Sequence, residues 1–379
     1  MVAAYHAGQP PATNLLRVVY FVPKDSQPLT NYAARLDRVV GDVSDFYRDA
    51  FRRFGLDSAG LPLEREGGRL VIHLVRGHLP AGKYDSSSGG RTAEEIQAAL
   101  KPAFDTAREH LLVFYACRKT DDGRFVFHTP YYGSGSQRHG ICHAADCELL
   151  DPLLLTDTNW TIGLIHGPMS IQSTATVAHF NTMYLGGVAH ELGHCLGLPH
   201  DDGGEAEQSF GVSLMGAGNL TYREEVWGGG PPTYLGRASV LQLLSEPIFT
   251  GSNRGRWDGL PWSFRSLKFS ATNGTVRIEG TATDAIPAYA VIAYVWPDGD
   301  KVDDHAARTF PCVVRNGRFT LDLDGLKTTR WHRFHLMLSK VHVNGATVKQ
   351  EFALSYDSSS MPDIATLNAE WLAYARKLP

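Results

Sequence analysis

The segment His190-Glu191-Leu192-Gly193-His194-Cys195-Leu196-Gly197-Leu198-Pro199-His200 gathers chemistry-bearing side chains at fixed offsets. Two histidines four residues apart share one face of a helix, so His190 and His194 can hold one ion together. Glu191 stands beside the first of them. From there it reaches a metal-bound water without ligating the metal, which is the place of a general base. Gly197 permits the left-handed conformation that ends a helix, and Pro199 prevents its continuation. The chain must turn, and His200 returns to the metal as third ligand. Three protein ligands leave a coordination position open for water, the arrangement of a catalytic rather than a structural zinc.

Downstream, Ser213-Leu214-Met215-Gly216 has the form of a methionine turn at a fitting distance. Together the two stretches resemble the metzincin zinc endopeptidases, whose pattern is His-Glu-x-x-His-x-x-Gly-x-x-His followed by such a turn. The resemblance is specific over 190–216 and implies Zn2+ as cofactor and a protein or peptide as substrate. It also implies a twisted, mostly parallel sheet with an active-site helix. By the same resemblance His190, His194 and His200 are the metal ligands, Glu191 is the catalytic base and Gly197 allows the turn. Met215 becomes an apolar floor beneath the metal. Asp201, directly after the third histidine, is similar to the adamalysin branch, where its role is to anchor the turn. One departure is Ala217, at a position where astacin-like and serralysin-like members carry a tyrosine. Tyr222 follows later; it either points into the cleft to stabilise an oxyanion or simply packs. No subfamily is assigned.

Elements that could position this site precede it. Leu15 to Val22 reads as a buried strand, Asn31 to Phe54 as an amphipathic helix, Arg69 to Val75 and His110 to Cys117 as further strands. A second helix starts at Thr92, where Thr92 and Glu95 have the spacing of a capping box. This alternation predicts a largely parallel sheet with right-handed crossovers. Residues 120–180 read as an edge strand and long loops, the rim of a cleft, with an extended substrate paired along that edge. The motif helix is expected over 183–197, and a short helix over Leu235 to Leu244.

From about Trp262 apolar and polar residues alternate, with turn pairs at Asn273-Gly274, Asn316-Gly317 and Asn344-Gly345. That texture predicts an antiparallel β-sandwich of six or seven strands. The expected organisation is thus a zinc protease domain over 1–258, an immunoglobulin-like accessory sandwich over 259–357 and a C-terminal helix over 358–379, an α/β (α+β) arrangement.

The whole-chain properties narrow the function classes. A length of 379 residues calls for more than one core, and a net charge of -4 gives no reason to expect nucleic acid as partner. No apolar run approaches a membrane span. Residues 1–14 do not form a signal peptide, which suits a mature or a cytosolic chain; with this chemistry a secreted or periplasmic protein is expected. Five cysteines are too few for a disulfide scaffold. Cys142 and Cys147 either bridge or are free thiols; Cys117 and Cys195 read as packing residues. No cysteine precedes Cys117, which excludes an N-terminal cysteine switch in this chain. Asp201, Asp202 and Glu205 form an acidic cluster, read as a solvated loop in preference to a calcium site. A competing class is a glycan- or protein-binding adhesion module with a vestigial zinc site, for which Tyr289, Tyr294, Trp296 and Trp331 would stack on a sugar. The alternative for those aromatics is the sandwich core.

Overall fold

The computed structural model describes every residue except 59, 168, 261–263, 300–302, 327–330 and 378–379, and only the backbone of Arg118. Trp262, where the sequence texture changes, lies outside the described residues. The fold is mixed α/β with several sheets, and contacts divide it into two compact units. One comprises Thr13–Pro199 and Phe210–Leu235; the other comprises Met1–Ala12, His200–Ser209 and Gly236–Pro379.

The first unit is built on a five-stranded sheet in the order Ile72–Arg76, Leu16–Val22, His110–Ala116, Gly140–Asp146, Tyr132–Gly135. The first four strands are parallel and the last is antiparallel to its neighbour. Leu16–Val22 and His110–Ala116, in the interior of the sheet, are near-continuous apolar runs because both sheet faces are covered there. The helix Tyr32–Arg53 buries Leu36, Val39, Val40, Val43, Tyr47 and Phe51 along one stripe. Each such side chain contributes about 1.5–3 kcal/mol of burial. Arg35 on this helix forms a paired hydrogen bond with Asp146 at 2.7 and 3.0 Å, and Tyr20 donates to the same carboxylate at 2.9 Å. Burial pushes Asp146 up overall, despite the opposing hydrogen bonds from Arg35 and Tyr20.

Three local expectations change. The second helix spans Gly89–Leu100, so Thr92 lies inside it and not at its start. No capping box forms: the Thr92 hydroxyl donates to the Ser88 carbonyl, and Glu95 accepts from Tyr84 and from the His78 amide. Residues 118–176 contain more order than loops and an edge strand. A second four-stranded sheet runs Ile171–Thr176, Thr161–His166, Phe125–Phe127, Arg118–Lys119. Its strands are short and interrupted by glycine, which hides the alternation that betrays longer strands.

The second unit holds seven antiparallel strands between Ser266 and Ser355, in sheets of three and four. Phe269, Ile278, Val291, Leu321, Leu336 and Leu354 are among the side chains filling the space between them. The helix Ile364–Ala375 closes the chain, capped by Asp363, whose carboxylate accepts from the Thr366 amide. The division by contact runs elsewhere than the texture boundary at 258, because Ala238 and Leu241 of the helix Arg237–Leu243 pack with Ile286, Tyr289 and Ile292. A chain cut after 258 would expose that apolar face.

Inside the second unit Asp284, Lys340 and His342 have fully buried side chains. Asp284 Oδ2 accepts from Lys340 Nζ at 2.5 Å and contacts His342 Nε2 at 3.0 Å. Burial works to raise the Asp284 pKa, but the bonds from Lys340 and His342 outweigh it and hold the carboxyl below its ordinary range. A depressed carboxylate stabilises the fold above its unfolded-state pKa and loses that contribution as pH falls through the folded value. Asp284→Ala leaves the Lys340 ammonium buried without this partner, so urea denaturation at neutral pH should show a loss of about 3–5 kcal/mol. The wild type should converge toward the variant in acid; a constant difference down to the acid limit would refute the assignment.

Candidate metal centre

The motif helix spans Val177–Cys195, longer at its start than the sequence suggests. Thr176 caps it, its hydroxyl accepting from the His179 amide at 3.2 Å. Polar His179, Asn181 and Thr182 mask the early turns. Asn181 is nonetheless buried, donating to the carbonyls of Leu149 and Val177. The other end closes as the motif requires. Gly197 takes φ +84°, its amide reaches the His194 carbonyl at 2.9 Å, and the Leu198 amide reaches Gly193 at 3.0 Å. That pair of bonds is the Schellman stop, in which only glycine takes the left-handed place without strain.

Among the described residues His190, His194 and His200 form a group that could hold a metal ion. His190 Nδ1 is 2.7 Å from the Leu214 carbonyl and His194 Nδ1 is 2.8 Å from the Leu198 carbonyl. A carbonyl only accepts, so both rings donate from Nδ1, and in the neutral ring Nε2 is the acceptor atom. Those two Nε2 atoms face each other at 3.1 Å. Lone pairs aimed together at that distance repel unless a proton or a cation lies between them. The donor set therefore fits a divalent metal of the zinc class, and the carbonyls fix each ring's tautomer.

Glu191 lies beside these rings, and its Oε2 accepts from the Gly133 amide at 2.7 Å. Burial raises its pKa to about 7, against the lowering effect of that hydrogen bond. Gly133 sits on Tyr132–Gly135, the antiparallel edge strand that sequence reasoning expected between 120 and 182 without locating it. The edge touches the motif helix directly. A Cβ at Gly133 would lie 1.7 Å from the Glu191 carbonyl oxygen, and one at Gly135 would lie 1.8 Å from that of Cys195. The glycines of a Tyr-Gly-Ser-Gly stretch were the available signal for this close approach.

A cavity of about 400 Å3 opens on Glu191 within the same unit, lined by Phe127, Tyr131, Tyr132, His166 and Tyr184 among others. His166 Nδ1 lies 2.8 Å from the Tyr184 hydroxyl and its Nε2 lies 2.9 Å from Ser173 Oγ, so the aromatic wall is held by hydrogen bonds.

The remaining sequence candidates fall as follows. Met215 is fully buried, and its sulfur lies 2.5 Å from where a Cβ on Gly193 would be, so it packs under the helix between the two histidines. Tyr222 does not face the histidines; it is buried and its hydroxyl donates to Asp42 at 2.6 Å. Asp201 is buried and satisfied by protein donors. It accepts from the Gly203 amide at 2.6 Å, from Ser239 at 3.1 Å and from Thr309 at 3.2 Å. Burial raises its pKa to about 6. It anchors the turn, and Glu205 pairs separately with Arg308. Among the described residues these acids do not gather into a metal-holding group. All five cysteines are free, and Cys142 and Cys147 are both buried. Tyr289 and Tyr294 are buried in the sandwich unit, Trp296 stacks on His335, and Trp331 packs against the core, so these aromatics are structural.

No family model and no curated relative matches the chain. Solved structures do. The chain has the fold of wild-type OgpA from Akkermansia muciniphila, with TM-score 0.74 and 22% identity over 92% of this chain and 96% of that one. It matches equally well the catalytically inactive OgpA in complex with an O-glycopeptide (glycodrosocin) substrate, with TM-score 0.74 and 22% identity over 93% of this chain and 96% of that one.

The helix–edge contact is testable. Gly133→Ala forces the strand off the helix and strains the amide bond to Glu191, so urea denaturation should show a loss of about 1–3 kcal/mol or more. Gly41→Ala is the control, since a Cβ there meets nothing within 4 Å; inside the helix it should be neutral or stabilising. Equal behaviour of the two variants would mean the strand does not lie against the helix.

Proposed function

We propose that the chain is a zinc-dependent metzincin-type endopeptidase acting on O-glycosylated peptides or glycoproteins. The observation that carries the reading is the pair of helical histidines turned toward each other, with Glu191 on the same helix and at the wall of a substrate-sized cavity. A zinc ion held by His190, His194 and His200 would lower the pKa of a bound water toward ~7 and polarise a scissile carbonyl. Glu191 takes the proton as that water attacks and passes it to the leaving amine. Its raised pKa suits a group that must both accept and donate near neutrality. The edge strand Tyr132–Gly135 offers its outer side to an extended peptide, which pairs by main-chain hydrogen bonds. The aromatic cavity next to Glu191 takes what projects from that peptide beside the cleaved bond.

The glycopeptide part of the proposal draws on the O-glycopeptide bound by the structural neighbour, together with a cavity that mixes rings with polar tips. Rings stack on sugar faces while hydroxyl and imidazole groups hydrogen-bond their edges. A secreted or periplasmic location goes with such substrates. Among the described residues no helix is long and apolar enough to cross a membrane.

Two measurements test this. Purified protein should bind close to one zinc per chain, and His190→Ala, His194→Ala and His200→Ala should each weaken binding strongly. Full occupancy in the His200→Ala variant would remove that residue from the centre. Glu191→Gln should keep zinc and fold but lower cleavage of an O-glycosylated peptide by about 10²–10⁴-fold, the usual contribution of a general base. Comparison with the same peptide stripped of glycan separates the two halves of the proposal: equal cleavage of both would leave a peptidase indifferent to sugar.

A further inference from the structure

The three proposed ligand rings are not held alike. His190 and His194 stand on a helix and rest on backbone carbonyls. His200 follows the Gly197-Leu198-Pro199 turn and has no helical scaffold of its own. Its Nδ1 meets a carboxylate instead, Asp304 Oδ1 at 2.7 Å. The neighbouring His305 stacks on its ring with centroids 3.5 Å apart and planes at 28°. Asp304 and His305 belong to the single turn Asp304–Ala306, which Asp303 caps by accepting from the His305 amide. That turn precedes the sandwich strand Arg308–Val313 and lies in the same compact unit as His200. Asp202 reinforces the placement, its amide bonding the Ala307 carbonyl at 2.7 Å, as does Thr309, whose amide bonds the Gly203 carbonyl.

We propose that Asp304 is a positioning residue for the metal centre, with His305 as its steric companion; the proposal rests on His200 being a zinc ligand. The carboxylate accepts from Nδ1–H, which fixes the tautomer and leaves Nε2 as the donor atom for the ion. A charged acceptor polarises the imidazole more than a carbonyl does, so His200 becomes the stronger electron donor of the three. The stacked His305 ring opposes rotation of His200 about its side-chain axis. One side chain thus receives from hydrogen bonding and stacking the orientation that the other two take from their helix.

The same atoms suggest a rival. His200, Asp304 and His305 also bring one ligand atom each within 4.8 Å, so Asp304 could bind an ion itself. Zinc affinity of the full-length protein, measured by competition with a chromophoric chelator, decides between them, together with the visible spectrum of the cobalt(II)-substituted protein. Asp304→Ala should weaken zinc about 10–100-fold, the usual effect of losing such a partner, and should alter the cobalt bands. Asp304→Asn keeps an acceptor oxygen without the charge and should fall between. The Asp304 side chain is about half exposed, so thermal melts of both variants should stay near wild type. An unchanged affinity and spectrum in Asp304→Ala, with His200→Ala still losing zinc, overturns the positioning role and leaves the three-histidine centre standing. Loss of only a second, weaker zinc equivalent overturns it in favour of the rival. If His200→Ala binds zinc as wild type does, the underlying reading fails as well.

Discussion

The site depends on how closely one strand approaches one helix. Tyr132–Gly135 lies so near the motif helix that a methyl group at Gly133 or Gly135 would fall inside the van der Waals radius of a helix carbonyl. That proximity aims the Gly133 amide at the Glu191 carboxylate, which is what holds the proposed base in place. Partial burial desolvates Glu191, and that desolvation is the larger of the two influences on its pKa. The single hydrogen bond partly offsets that rise. A wider gap would leave an ordinary exposed glutamate; an additional buried donor would hold the carboxylate too acidic to return its proton. The strand, meanwhile, is the edge of its sheet, where the proposed peptide would pair.

Helix and sheet meet this condition through residues that add little volume. Gly193 accommodates the Met215 sulfur beneath the helix, and Gly140 faces the same Cys195 carbonyl as Gly135. The long helix packs against the motif helix, Tyr47 donating to the Ala189 carbonyl, and its Arg35 ties it to Asp146 at the end of the strand neighbouring the edge. A buried ion pair is weak evidence for stability but fixes register well, because breaking it strands a charge. Register matters here: a shift of one residue in the edge strand would replace the Gly133 amide under Glu191 with a side chain-bearing neighbour.

Much of this was legible in the sequence. The motif names candidate ligands because helical periodicity, the glycine stop and the proline are local physics, and the helix closes as those residues require. Three of the four parallel strands, and the alternating strands of the second unit, were readable from apolar runs and Asn-Gly turns for the same reason; the fourth, Gly140–Asp146, lay in a stretch read as loops and an edge strand. What escaped was non-local or masked. The start of the motif helix hides behind His179, Asn181 and Thr182, whose polarity is answered by tertiary hydrogen bonds in the case of Asn181. Thr92 and Glu95 have capping-box spacing, yet Ser88 and Tyr84 engage them instead. The small sheet within 118–176 pairs strands too short to show a period.

The partner of His200 shows the limit of local reading most clearly. Asp304 lies 104 residues from it in sequence, in a turn whose own pattern advertises only the Asp303 cap. No spacing rule reaches across that distance; only the folded sandwich unit brings the carboxylate to the ring. The two helical histidines need no such help, since a helix sets both their separation and their direction. A third ligand beyond a glycine-proline turn has the reach to complete a tetrahedral site but not the rigidity to hold it. Orientation must then come from what lies around it, and in this chain a carboxylate and a stacked ring lie against the proposed third ligand. The motif therefore specifies which side chains meet, while residues outside it determine how firmly the last of them is held.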